Sequence, residues 1–385
     1  MTSANVEHSR PLIARRSLLC ALACAALPVG LQAAERQTAL TRPALSVVRP
    51  TQAVMVCVAR AGLRLVAGGE RGLIVYSDDN GRTWKQAAVP VSVTLTALRF
   101  ASEREGWAVG NMGIVLRTQD AGATWERVLD GRSAADIALK AAQSAYTAAA
   151  AGAAAQQLQA PLEDAMRLVS EGADKPFTDI ILRADGSLLV IGAYGLAFAT
   201  SDGGKTWSAQ MNRLPNPDGL SLYGHASRFD EHWLMGEQGI LLRAMRGNDH
   251  FAAAESPSTG SLFGALTLRD GALLMYGLRG KVFRSGAPGE PWTTVQTPVD
   301  ASLFASLQLD DGRVLLAGQA GQLLVSADSG RTFKGVALKT RYPFSAMAVT
   351  PDGAVVLAGA RGLMRVERAE LQTASESPDA KGKAT

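Results

Sequence analysis

Histidine and cysteine are scarce, four and three in 385 residues, and long uncharged runs are scarcer still. Two of the cysteines, Cys20 and Cys24, lie in an apolar stretch near the amino terminus, which leaves Cys57 alone in the rest of the chain. One thiol makes no internal disulfide, so a disulfide-stapled scaffold is excluded and stability has to come from a core. Cys57 itself sits in Val54-Met55-Val56-Cys57-Val58 and reads as a small buried strand residue. His8 precedes the apolar stretch, and His225, His232 and His250 lack metal-ligand spacing, so neither a metal nor a cofactor is expected. Strong charge is missing too. The formal +4 falls to about +2 once the first 33 residues are set aside, with 36 basic and 34 acidic residues remaining and no basic run, which speaks against nucleic acid as a partner. With 47% hydrophobic residues the chain is nonetheless rich enough in apolar side chains for a large core.

The longest apolar run, Ser17 to Leu31, is short of the roughly 20 residues a membrane span needs. Arg15-Arg16 precede it and Leu31-Gln32-Ala33 offers a cleavage point, so residues 1–33 read as an export signal of the Sec or twin-arginine kind. A periplasmic destination follows.

Glycine is the residue in excess, 39 in all, and it is periodic. A Gly-x-x-Gly follows an apolar strand seven times, at Gly69/Gly72, Gly110/Gly113, Gly192/Gly195, Gly236/Gly239, Gly277/Gly280, Gly318/Gly321 and Gly359/Gly362. The spacings of 41, 82, 44, 41, 41 and 41 residues match one four-stranded propeller blade per period. Six residues before four of the pairs stands an Asp-Gly, at Asp185, Asp270, Asp311 and Asp352, a hairpin signal between apolar alternations. Eight residues after the first glycine comes Ser/Thr-x-Asp-x-Gly-x-Thr-Trp/Phe, intact at 77–84, 118–125, 200–207 and 326–333. This Asp-box, the signature of the BNR repeat, is read as scaffold: Asp79, Asp120, Asp202 and Asp328 satisfy turn amides, and Trp84, Trp125 and Trp207 plug gaps between sheets. The fold expected is an all-β, seven-bladed propeller over residues 38–370, with residues 371–385 a solvated, disordered tail. Unit seven lacks an Asp-box, and residues 38–48 are expected to supply its outer strand and latch the ring.

The doubled spacing hides no eighth blade, because residues 133–159 are dominated by alanine and lack Gly-x-x-Gly. A helical hairpin over 133–176 is expected instead, its first helix capped at Ser133-x-x-Asp136 and its second opened by Pro161, with Leu162, Ala165, Met166 and Val169 on one face. It serves either as a strap lying across the ring or as a docking surface.

Seven such units, the Gly106-Trp107-Ala108-Val109-Gly110 strand and the Asp-box turns behind an export signal resemble the photosystem II stability/assembly factor family. The resemblance covers roughly residues 44–368 except the helical insertion, and it implies a non-catalytic accessory factor for a membrane protein complex, lumenal in a photosynthetic cell. The client is left open between a photosystem and another membrane complex such as a transporter. At the third position of the Gly-x-x-Gly turn stand Arg71, Arg279 and Arg361, candidates for the carboxylates of a partner or for anionic lipid heads. The ring is expected to be monomeric alone. The competing reading is a sialidase-like glycoside hydrolase, for which Tyr194, Tyr223, Glu237 and Arg243 are the available residues.

Overall fold

The computed structural model describes residues 38–372 except Ala150, Ala151 and Asp249. The export signal and most of the proposed tail lie outside the described residues.

Seven antiparallel sheets follow one another along the chain, each built from consecutive strands with no crossover. Their innermost strands are Met55–Ala61, Leu95–Phe100, Phe177–Leu182, Leu222–Arg228, Leu262–Thr267, Leu303–Gln308 and Phe344–Val349. Each touches the next, and the seventh touches the first, so the sheets close into a ring with these strands around its axis. The second strand of each blade is largely buried, and in Leu188–Gly192 and Val314–Gly318 it is apolar and buried along its length, because it is covered by the blade on either side.

Closure does not use residues 38–48. Blade seven has three strands among the described residues, and the expected latch strand does not form. That segment lies against blades one and two instead: Leu40 is buried in their shared core, Ser92 N donates to Ala39 O, and Ala44 N donates to Val89 O. The physical reason is that the ring closes well enough without a fourth strand. Met55, Val58 and Leu65 pack on Val356 and Ala358, Ser345 Oγ donates to Met55 O, and Arg82 pairs with Asp352 at 2.9 Å.

The insertion is a helical hairpin, α1 (Gly131–Ala148) and α2 (Ala153–Glu171). Its boundaries differ from the sequence expectation. The cap is Asp130, whose carboxylate accepts the Arg132 and Ser133 amides, and Pro161 lies inside α2 rather than opening it. Gly152, with φ of 119°, makes the reversal between the helices. Ala134, Ala135 and Ala138 of α1 and Ala165 of α2 are buried, and the base of the hairpin packs on blades two and three. The opposite faces of the two helices are open, with Tyr146, Met166 and Val169 exposed.

Candidate functional site

Antiparallel pairing sorts the connections of every blade onto two ends of the ring. The hairpin between strands one and two and the Asp-box after strand three share one end, and the Gly-x-x-Gly turn and the linker to the next blade share the other.

At the Asp-box end the motif closes on itself. Ser77 Oγ donates to Asp79 Oδ1 (2.7 Å) and accepts the Gly81 amide (2.9 Å), while Thr83 gives its amide to Oδ1 (2.8 Å) and its hydroxyl to Oδ2 (2.5 Å). The same four contacts recur around Asp120, Asp202 and Asp328. Hydrogen bonds from the threonine and its amide hold the Asp79 carboxyl well below the usual range, and those from Thr206 hold Asp202 at about 2. Around Asp328 burial works the other way, yet the Thr332 and Ser326 bonds still bring it down to about 2. Trp84, Trp125 and Trp207 each give the ring N–H to the motif glycine carbonyl at 3.1 Å and pack against the preceding blade.

Where units four and five lack the motif, a buried ion pair stands nearby. Arg228, 2% exposed, gives Nε and Nη2 to Glu231 Oε2 and Nη1 to Ser285, the residue that begins the degenerate motif of unit five. Trp233 Nε1 and Arg243 Nη1 complete the carboxylate's shell.

The turn end is built differently. Each turn presses its second glycine on the linker that follows: a Cβ on Gly72, φ 74°, would meet Val91 O at 2.1 Å, so no other residue fits there. In five of the seven turns the residue before it lies in the left-handed region, with φ of 54° at Arg71 and 55° at Arg279, whose side chains are exposed. Arg361 belongs to a tighter two-residue hairpin between the paired Gly359 and Gly362. Its charge reaches Tyr342, whose hydroxyl burial raises and Arg361 pulls back. Arg71 and Arg361 stand on adjoining blades. Arg279 is separated from them by blade six, whose turn carries Gln319 and Ala320, so the three arginines are an arc rather than one cluster. Among the described residues no carboxylate pairs with any of the three.

In the channel wall the structure assembles a set that the sequence reading missed. Asp179, 4% exposed, accepts Arg99 Nη2 at 3.0 Å, the His225 amide at 3.2 Å and His225 Nδ1 at 2.9 Å, joining the inner strands of blades two, three and four. Burial alone would raise its pKa, but Arg99 and His225 bring it to about 2. The signal was present in the sequence: the register position of Asp179 is held in the other blades by Cys57, Ala97, Gly224, Gly264, Ala305 and Ala346, all small. Cys57 is buried there with its thiol pushed up to about 12, which keeps it protonated.

Three of the hydrolase candidates, Tyr194, Tyr223 and Glu237, come together around Ser221 at the turn end, whereas Arg243 does not join them. Tyr194 is exposed on its turn beneath the Lys175 ammonium, 5.1 Å from the ring centroid. Tyr223 lies near Glu237, and burial with that charge raises its hydroxyl, the wrong direction for a nucleophile. Arg243 faces Glu231 instead. No group of three His, Cys, Asp or Glu side chains among the described residues is placed to hold a metal, and no described helix is long and apolar enough to cross a membrane.

Comparison with known proteins agrees with this picture. Residues 65–133 match the family model described as photosynthesis system II assembly factor YCF48. The chain resembles the photosystem II stability/assembly factor family. A curated relative, the chloroplastic stability/assembly factor HCF136 of Cyanidioschyzon merolae, is 42% identical over 48 residues, 12% of this chain and 11% of that protein. The match therefore spans about a tenth of the relative's length. Among solved structures, YCF48 bound to D1 peptide has a TM-score of 0.58 at 21% identity, covering 84% of this chain and 99% of that one. YCF48 from Cyanidioschyzon merolae has a TM-score of 0.57 at 14% identity over 83% and 97%. A streptogramin B lyase reaches 0.61 at 14% identity over 86% and 99%, so the propeller by itself assigns no chemistry. The factor-like resemblance rests on the matched segment, which runs from Leu65 through the Asp-boxes of blades one and two to Ser133 in α1.

Proposed function

We propose that this chain is an exported, non-catalytic scaffold that receives a segment of a membrane protein subunit on its turn end and acts as an assembly or accessory factor for that subunit's complex. One observation carries the reading. Three arginines, Arg71 and Arg279 from left-handed turn positions and Arg361 from a tighter hairpin, project at the turn end with no carboxylate partner among the described residues, while Arg64, Arg284, Arg313 and Arg365 at the opposite end hold carboxylates. A guanidinium exposed without a carboxylate is poised for the carboxylates of a partner. That a relative of the same fold is known with a D1 peptide bound supports a peptide as the occupant. The Asp-box residues belong to the scaffold, and the channel set of Arg99, Asp179 and His225 ties blades two to four where the hairpin interrupts the repeat. Residues 1–33, read as an export signal, support a ring that works in the periplasm, or in the lumen of a photosynthetic cell.

The test is affinity capture of the exported protein from gently solubilised membranes, with Arg71→Glu/Arg361→Glu alongside. The wild-type chain is expected to recover a membrane complex and the double variant to lose it at unchanged thermal midpoint. Equal recovery by both would remove the arginines from the reading.

A further inference from the structure

The inner strands carry a second seven-fold position at the turn end of the channel. In each blade the pairing of strands one and two skips one residue, and the skipped residues are Val56, Thr96, Thr178, Tyr223, Phe263, Phe304 and Ser345. In blades two, three and seven the short hydroxyl serves the seam between blades. Thr96 Oγ1 donates to Phe177 O (2.6 Å), Thr178 Oγ1 to Leu222 O (2.5 Å), and Ser345 Oγ to Met55 O (3.1 Å), each reaching the first residue of the next inner strand. In blades four, five and six the position holds three aromatic rings that touch in sequence. Tyr223 and Phe263 have centroids 5.5 Å apart and Phe263 and Phe304 4.9 Å, and all three are half-buried. The fold does not require them, since a hydroxyl or a valine fills the same place elsewhere in the ring.

The surroundings continue the apolar arc outward and add one charge. Tyr194, 66% exposed, sits on the turn that packs against the strand bearing Tyr223, and its amide contacts Ser221 Oγ. The turn Leu278–Gly280 packs against the strand bearing Phe304 and presents Leu278 and Arg279 to solvent. Below the rings Gly264 makes room for Tyr276, whose hydroxyl would lie 2.3 Å from a Cβ there and is bonded by Ser306.

We propose that this sector of the channel mouth is an apolar seat for one bulky side chain of the bound peptide, with Arg279 taking a carboxylate beside it. The inference rests on the reading of the turn end as a peptide-binding face and names the chemistry that face selects: a large apolar residue next to an acid. A sugar is disfavoured because the rings are tilted by 45° and 49° to one another and offer no flat platform. A single-stranded nucleic acid would need a cationic track beside stacked bases, and this sector's turns supply Tyr194, Gln238 and Arg279. A peptide side chain needs only a partly enclosed aromatic pocket with a charge at its rim.

The ring supplies its own substitution for the test. Phe263→Thr/Phe304→Thr installs the residue that blades two and three already use, so the variant is expected to keep its thermal midpoint while losing the seat. Three fluorescent dodecapeptides in a Gly/Ser background serve as probes: one with a central Phe between two Asp residues, one with that Phe replaced by Ser, and one with both Asp replaced by Ser. Anisotropy titrations with the mature chain should show the first peptide binding about tenfold more tightly than the second. The threonine variant should bind the first peptide no better than the second, and Arg279→Ser should weaken only the Asp-bearing probes. If the threonine variant loses its midpoint, Phe263→Leu/Phe304→Leu keeps the volume without the rings and should bind between the two levels. Equal binding of the Phe and Ser peptides by the wild-type chain overturns the seat alone, provided Arg71→Glu/Arg361→Glu still weakens both. Failure of all three peptides to bind overturns the seat and the peptide-binding face together.

Discussion

At the Asp-box end Arg64, Arg284, Arg313 and Arg365 each hold a carboxylate at 2.6 to 2.8 Å with their own side chains mostly covered, whereas at the turn end Arg71 and Arg279 project from left-handed positions toward solvent. Arginine is common at both ends, so residue type does not distinguish them. Satisfaction does. Where donors and acceptors are matched inside the blade, removing one side chain costs stability; where a donor is left over, removing it should cost binding. The turn end also gathers Tyr223, Phe263 and Phe304 at the channel mouth, while the other end is rimmed by closed Asp-boxes.

The largest effect should come from breaking the most enclosed pair at the Asp-box end. Glu231→Ala strands the buried Arg228 guanidinium without its counter-charge, and a loss of about 3–5 kcal/mol is expected. Chemical denaturation followed by circular dichroism reads this directly. A loss under about 1 kcal/mol would mean that Arg228 finds water or another acceptor.

Next comes a single Asp-box. Asp79→Ala removes an acceptor of four hydrogen bonds in a solvent-touching turn, and about 1–2 kcal/mol is expected, with probe-peptide binding unchanged. A fall in peptide affinity with stability intact would reverse the assignment of the two ends.

Acid sharpens the contrast without a mutation. Asp202 and Asp328 sit at about 2 in the folded chain against about 3.9 unfolded, so each contributes stability that is full above pH ~4 and lost as pH falls through 2. Asp179 adds to the same window. The thermal midpoint should therefore hold from pH 7 to about 4 and drop steeply below. Peptide binding through guanidinium groups, which do not titrate in this range, should hold over pH 5 to 8.

Much of this was legible in the sequence because it repeats. Seven glycine pairs at a fixed period specify the blades, since each second glycine must pass within touching distance of the next linker, as Gly72 does at Val91. The insertion was legible as helix from its alanine content, but not its limits, because Asp130 caps three residues earlier than Ser133 and Gly152 turns the chain before Pro161. The path of residues 38–48 could not be read, since it is held by Val89 O, the Ser92 amide and the side chains of Gln86 and Arg127, none of which belongs to a repeated motif. The channel set and the aromatic arc were missed for another reason. Asp179 and Phe263 stand out only against the residues at the same register in other blades, and the skipped position that fixes that register is a property of strand pairing.

The smallest expected effect is the most discriminating. Arg71→Glu/Arg361→Glu should move stability by no more than about 0.5 kcal/mol, because neither side chain is paired and both are exposed. The same double variant should abolish capture of the membrane partner, since a reversed charge repels the carboxylates the arginines would hold. Performed beside Glu231→Ala, it separates the two ends by opposite outcomes: one variant unfolds early yet binds the probe peptides when cooled, the other folds normally and does not bind. If the arginine variant also lost several kcal/mol, the turn-end guanidiniums would be structural, and the difference between the two ends would be one of exposure rather than of task.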